Sequence, residues 1–180
     1  MKPGATRKIY KVGEEVLTKV AEAVAPDEFG TEKLTRLIDE LNTVAREIGA
    51  VGFSAPQLGH SKRLMTIGME FNNPRRPNVQ QFPNMTFVNP ELTYVSPDTS
   101  EDWEGCASFD NRIALVSRPI TIRYTAQDVK GKKLEGELKN FPARVFQHEL
   151  DHINGKLMDG KAKETRLFDR EKETIISMKP

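Results

Sequence analysis

A chain of 180 residues with 37% hydrophobic and 29% charged residues has the composition of one ordinary globular domain, expected to span 1–180. A formal net charge of +1 gives no global pull toward nucleic acid or an anionic membrane surface, and no stretch approaches the length of a transmembrane helix. The single cysteine, Cys106, excludes an internal disulfide, and the opening MKPGATRKIY has charge without an apolar run, so no secretory signal is read and a cytoplasmic location is expected.

In chain order, Glu14 to Val24 reads as a short helix or a turn-rich start. Thr31 to Ile48 is the clearest helix: Leu34, Leu37, Ile38, Leu41, Val44, Ala45 and Ile48 recur at helical spacing, Thr31 is a fair start signal and Gly49 a fair stop. Strands are expected over Arg63–Met69, Thr86–Leu92, Ile113–Val116 and Ile120–Thr125. Gln127 to Lys133, with Asp128 and Gly131, reads as a hairpin turn, and Lys133 to Leu138 as the returning strand. Phe71 to Pro83, with three prolines, reads as a surface loop. A second helix is expected from Pro142 to Asn154, stopped by Gly155. The stretch Lys161 to Pro180 is charged and fits a short helix or a strand. A helix, then antiparallel strands, then a helix argues for an α+β fold, not alternating βαβ units.

The strongest local signal is Gln147-His148-Glu149-Leu150-Asp151-His152. Residues four apart share a helix face, so His148 and His152 can bind one metal ion, and Glu149 beside them can take a proton from an activated water and return it to a leaving nitrogen. Phe141, Ala143, Val145, Phe146, Leu150 and Ile153 make this helix largely buried, so its polar residues need partners. Two histidines leave a catalytic site one protein ligand short. Cys106, preceded by Gly105 in Trp103-Glu104-Gly105-Cys106-Ala107-Ser108, would complete a Cys, His, His set with one position open. The carboxylates Asp159, Glu164 and Asp169 are the alternatives of a thermolysin-like arrangement. His60 reads as a surface residue.

A second small-residue segment runs from Gly49 to Gly59. It reads as a helix end and turn, or as a loop that lets a substrate backbone approach and offers the Gln57 amide to a developing oxyanion.

Three segments in this order, Ala50 to Gln57, Glu104 to Ser108 and Gln147 to His152, resemble the three signature motifs of peptide deformylases. The resemblance covers nearly the whole chain, and Trp103 and Phe141-Pro142-Ala143-Arg144 are similar to many members. It implies an α+β fold in which antiparallel strands pack around a central helix carrying HExxH. It implies one divalent metal ion held by Cys106, His148 and His152, with Fe(II) expected in cells and Zn, Ni or Co able to replace it. It implies Glu149 as the acid/base residue, with Gln57 and the Ala107 N–H on the oxyanion.

The activity so implied is removal of the formyl group from formyl-methionyl nascent polypeptides, releasing formate. Val51, Gly52, Phe53 and Val145 are the candidates for the methionine pocket. Ala50, Ser54, Ala107 and Phe109-Asp110-Asn111 depart from the usual motif residues and border that cleft. A transient ribosome contact suits a cotranslational enzyme, although the tail mixes Lys161, Lys163, Arg166, Arg170 and Lys172 with acids. The competing readings are a metalloprotease with a downstream third ligand, a metal-stabilised binding module, and a deformylase relative whose altered cleft serves a different formylated or acylated substrate; neither DNA nor membrane is an expected partner.

Overall fold

The computed structural model describes residues 7–70, 78–169 and 174–176. Its first regular element is a 3-10 turn at Glu15–Leu17, so the start is turn-rich, not helical. The chain then pins Ala21 to the far end of the molecule through an Ala21 N–H bond to the Ile153 carbonyl (2.8 Å).

Helix α1 (Glu32–Glu47) forms where the apolar spacing predicts it. The Thr31 hydroxyl caps it by accepting the Leu34 N–H, and Leu34, Ile38, Leu41, Val44 and Ala45 are buried. Ile48 falls at the C-cap and stays exposed, because Gly49, at φ 63°, turns the chain away from the helix axis.

The strands are β1 (Gly52–Ser54), β2 (Leu64–Met69), β3 (Phe82–Val95), β4 (Thr99–Gly105), β5 (Arg112–Pro119), β6 (Thr121–Gln127), β7 (Lys133–Lys139), β8 (Ala162–Asp169) and β9 (Thr174–Ile176). They form two antiparallel sheets, one in the order β1-β2-β3-β6-β7 and one in the order β4-β5-β8-β9. The expected strands are present: β2 is one residue shorter than expected, starting at Leu64, and the others are longer. The hairpin turn is held by the Asp128 carboxylate, which accepts the Lys130 and Lys132 N–H groups. β1 and β4 were not expected. The loop assigned to Phe71–Pro83 lies in part outside the described residues, and its end, Phe82–Pro83, already belongs to β3. Of the final stretch, Lys161 ends a 3-10 turn (Met158–Lys161) and the rest of the described part is strand.

Helix α2 (Asn140–Ile153) starts two residues before the position that Pro142 suggested. Asn140 turns the chain at φ 54°, a conformation asparagine tolerates, and donates its N–H to the Ile120 carbonyl, so the turn out of β7 is already the first turn of the helix. Pro142 sits within that first turn, where its missing N–H has no intrahelical partner to lose. α2 contacts β1, β2, β3, β6 and β7 of the larger sheet and β5 of the smaller. Its Ala143, Phe146, Leu150 and Ile153 pack on Met65, Ile67, Phe87 and Ile122, with Phe87, Tyr124 and Phe146 forming an aromatic cluster at 5.1–5.2 Å centroid spacing. A second core lies between α1 and the β1–β2 edge, and a third, around Cys106, Phe109, Ala114, Val116 and Met158, lies under the smaller sheet.

No helix among the described residues is long and apolar enough to cross a membrane.

Candidate active site

Three elements bring polar side chains to one buried point. α2 carries His148 and His152 one turn apart, with ring centroids separated by 5.1 Å. The chain leaving β4 delivers Cys106, whose Sγ lies 3.2 Å from His152 Nε2. The ligating atoms of Cys106, His148 and His152 all lie within 4.8 Å of one another, and among the described residues this is the one group of three or more such side chains. Thiolate plus two imidazoles is a donor set that suits several divalent ions and leaves one tetrahedral position open.

His148 is oriented from behind. Its Nδ1 lies 2.9 Å from Glu104 Oε2, which leaves Nε2 to face the sulfur side. Glu104 is itself gripped by Arg118 Nε (2.6 Å), Arg118 Nη2 (2.8 Å) and Arg144 Nη1 (2.7 Å). Arg118 reaches on to Asp151 of α2 (2.8 Å), whose other oxygen accepts Lys161 Nζ (2.7 Å). Arg144 also donates to the carbonyls of Val116 and Ser100. Every charge in this buried chain is therefore paired, which a dry environment requires.

The electrostatics follow from the packing. Burial opposes ionisation of Cys106, but the two histidines outweigh it and hold the thiol well below its usual range. Burial likewise works against a charged His148, and hydrogen bonds to Cys106 and Glu104 outweigh it and raise its pKa. For Glu104 the desolvation penalty is overcome by Arg118 and His148, so the carboxylate stays ionised well below the usual range. Glu149 goes the other way: burial raises its pKa despite the nearby histidines.

Glu149 and His152 each keep one buried atom, Oε2 and Nδ1, with no hydrogen-bond partner among the described residues. A carboxylate oxygen without a protein partner beside a Cys, His, His cluster fits a site built for an ion and a water.

Gln57 lies in the 3-10 turn Ala55–Leu58 that follows β1. Its Oε1 accepts both the N–H and the hydroxyl of Ser54 (3.0 Å each), so its NH2 end faces Cys106 Sγ (3.6 Å) and Ser108 Oγ (3.3 Å). Ala107 is half-buried next to it, and its carbonyl accepts Lys11 Nζ.

Of the candidate pocket residues, Val51 and Val145 pack in one cluster, and Gly52 lies against Val145 and Glu149. The structure does not bring the side chain of Phe53 to this point. Successive strand residues face opposite ways, so with Gly52 toward α2, Phe53 is fully buried in the core on the α1 side. His60 is exposed. Asp159 and Glu164 are exposed and stand outside the Cys, His, His group; the Asp169 side chain lies outside the described residues.

Sequence reasoning gave no role to Glu104, Arg118, Arg144, Ser54, Ser108 or Lys11. The one usable signal was the demand for partners made by an aspartate and histidines on a buried helix. It named no partner, because the cations come from β5 and from α2 itself.

Residues 6–167 match the polypeptide deformylase family. The chain belongs to that family. A peptide deformylase of Leptospira biflexa is 36% identical over 164 residues, covering 91% of this chain and 92% of that protein. Peptide deformylase 2 of Pseudomonas syringae pv. tomato is 36% identical over 151 residues, 84% of each. Among solved structures, the Met-Ala-Ser-bound class I type b peptide deformylase of Acinetobacter baumannii superposes with a TM-score of 0.82 at 31% identity, covering 85% of this chain and 96% of that one. The Thermotoga maritima peptide deformylase gives 0.76 at 30%, covering 88% and 98%.

This deformylase is thus an enzyme: a metal-dependent hydrolase that removes the N-terminal formyl group from formyl-methionyl nascent polypeptides and releases formate. The metalloprotease and binding-module readings give way to it.

Proposed function

We propose that Cys106, His148 and His152 hold one divalent ion and that Glu149, Gln57 and Ala107 carry out deformylation around it. The carrying observation is the meeting of one sulfur and two imidazoles beside a buried carboxylate oxygen with no protein partner. Fe(II) is the proposed ion in cells, with Zn, Ni or Co as substitutes, since a thiolate with two imidazoles suits all of them. When bound, such an ion supplies Lewis acidity, polarising a carbonyl and making a water more acidic.

The chain's own groups do the rest. Glu149 accepts the proton of the attacking water and delivers it to the leaving nitrogen. The Gln57 NH2, locked by Ser54, and the Ala107 N–H donate to the formyl oxygen as it becomes negative. β1 and β4 are edge strands of their sheets, and both run into the site, so an extended peptide can add its backbone there. Val51, Gly52 and Val145 would border the methionine side chain. A formyl carbon carries only hydrogen, so a tight wall at this point excludes larger acyl groups.

In this reading the fold is a single catalytic domain over 1–180 with α2 at its centre, which its contacts to strands of both sheets support. A cytoplasmic enzyme acting on nascent chains, with at most a transient ribosome contact, is the setting we propose.

The test is a formate-release assay on formyl-Met-Ala-Ser, with metal content measured on the same sample. Glu149→Ala should keep its ion and lose nearly all turnover, and Cys106→Ser should lose the ion. Full turnover in Glu149→Ala, or unchanged metal in Cys106→Ser, would overturn the assignment.

A further inference from the structure

We infer that Lys11 is a positioning residue of the metal centre, its ammonium gripping the Ala107 carbonyl so that the Ser108 N–H of the same peptide group is held on the Cys106 sulfur. The inference rests on the reading of Cys106 as a ligand.

The contacts run in a line. Lys11 Nζ donates to the Ala107 carbonyl oxygen at 3.0 Å, and the Ser108 N–H donates to Cys106 Sγ at 3.4 Å. The carbonyl and the N–H belong to one planar peptide unit, so a cation on the oxygen strengthens the N–H as a donor. A sulfur that carries a stronger N–H bond gives less charge to a bound ion, and partners one shell out tune a metal site in this way. The contact also restrains rotation at Ala107, the residue proposed to donate to the oxyanion.

Two further observations make Lys11 more than a surface cation that happens to be close. The backbone on either side of it is tied to both site segments: Tyr10 N–H bonds to the Gln57 carbonyl and Val12 N–H to the Ser108 carbonyl, each at 2.9 Å. The N-terminal segment is thus a strap across two loops that are 51 residues apart in sequence at Gln57 and Ser108. Lys11 Nζ also pairs with the exposed Asp110 at 2.7 Å, so the ammonium bridges two acceptors of the Ala107–Asp110 turn. The neighbouring Lys8, in the same segment, pairs with Glu14 at 2.6 Å and lies over the Tyr10 ring, and among the described residues its contacts do not reach the motif loops.

The experiment uses the full chain loaded with Co(II), whose charge-transfer band from thiolate sulfur reports the electron density on Cys106, together with chelator competition for Co(II) and kcat and KM on a formyl-Met peptide. Lys11→Met should move the band to longer wavelength and, because the sulfur then gives the ion more charge, tighten Co(II) binding in the chelator competition. It should lower kcat by roughly ten-fold with KM near the parent value, the size typical of losing a partner one shell out from a metal. Lys11→Arg should restore the band, and Lys8→Met should leave it in place. A Lys11→Met band identical to the parent's, with only the unfolding temperature changed, would overturn the inference and leave the ligand assignment standing. A parent protein with no thiolate band would overturn both.

Discussion

Gly52 of β1 lies flat against Glu149 of α2: a methyl group added at Gly52 would stand 2.5 Å from Glu149 Oε1 and 2.6 Å from Val145 Cγ1. Both neighbours are buried on α2. Gly52→Ala should therefore push the carboxylate out of line while leaving Cys106, His148 and His152 where they are. The expected result is a kcat lower by about 100-fold, the scale of an ångström-size misplacement, with metal content unchanged. Steady-state kinetics and metal analysis of one preparation check it, and a kcat near the parent value would show that the carboxylate position is not critical.

Ser54 supplies two of the donors that fix Gln57, its N–H and its hydroxyl. Ser54→Ala keeps the first and removes the second. The NH2 end of Gln57 is then held less firmly toward Cys106 and Ser108. One neutral hydrogen bond contributes about 0.5–1.5 kcal/mol, so kcat should fall roughly 3- to 10-fold with KM little changed. A rise in KM at constant kcat would mean that Ser54 acts on substrate binding instead.

Much of this arrangement could be read from the chain alone, and part of it could not. Strong periodicity located α1, Pro142 and Gly155 bracketed α2, and the order of the motifs pointed to Cys106, His148 and His152, which the fold brings within 4.8 Å of one another. Local features misled at Phe53, whose place inside a small-residue motif suggested a pocket wall; strand alternation puts it opposite Gly52 and Ser54. β4 was missed because Thr99-Ser100-Glu101-Asp102-Trp103 has no apolar alternation, as expected of an edge strand with much of its surface exposed. The Glu104–Arg118 pair was out of reach for a different reason. It follows from the register of β4 on β5, which sets Ser100 opposite Arg118 and Glu104 opposite Ala114, and no local sequence signal encodes that register.

Acid sensitivity has an identifiable contribution away from the site. Glu28 accepts Lys62 Nζ and the Ala25 N–H, both at 2.8 Å, and these bonds, the lysine's first, lower its pKa. A carboxyl whose folded pKa is depressed stabilises the fold above its unfolded value of about 4.3 and loses that contribution as pH falls through the folded value. Because the pair is partly exposed, the effect should stay under about 1 kcal/mol. Urea unfolding of the parent and Glu28→Gln should thus differ at pH 7 and converge in acid below the usual carboxylate range. A constant difference across pH would point to packing and not to charge.

Arg118 sits between Glu104 and Asp151, with about 2% of its side chain exposed. Replacing it with methionine fills much of the volume but leaves two buried carboxylates with fewer partners, Arg144 and His148 on Glu104 and Lys161 on Asp151. Removing one partner of a buried ion pair costs about 3–5 kcal/mol, because the remaining charge is stranded in a dry environment. Arg118→Met should therefore unfold at much lower urea than the parent. Adding Asp151→Asn removes one of the stranded charges and should recover part of the loss. The recovery separates an electrostatic role from simple packing: if the double variant is no more stable than Arg118→Met, the arginine matters for its shape, and the charge chain behind His148 contributes less than its geometry suggests.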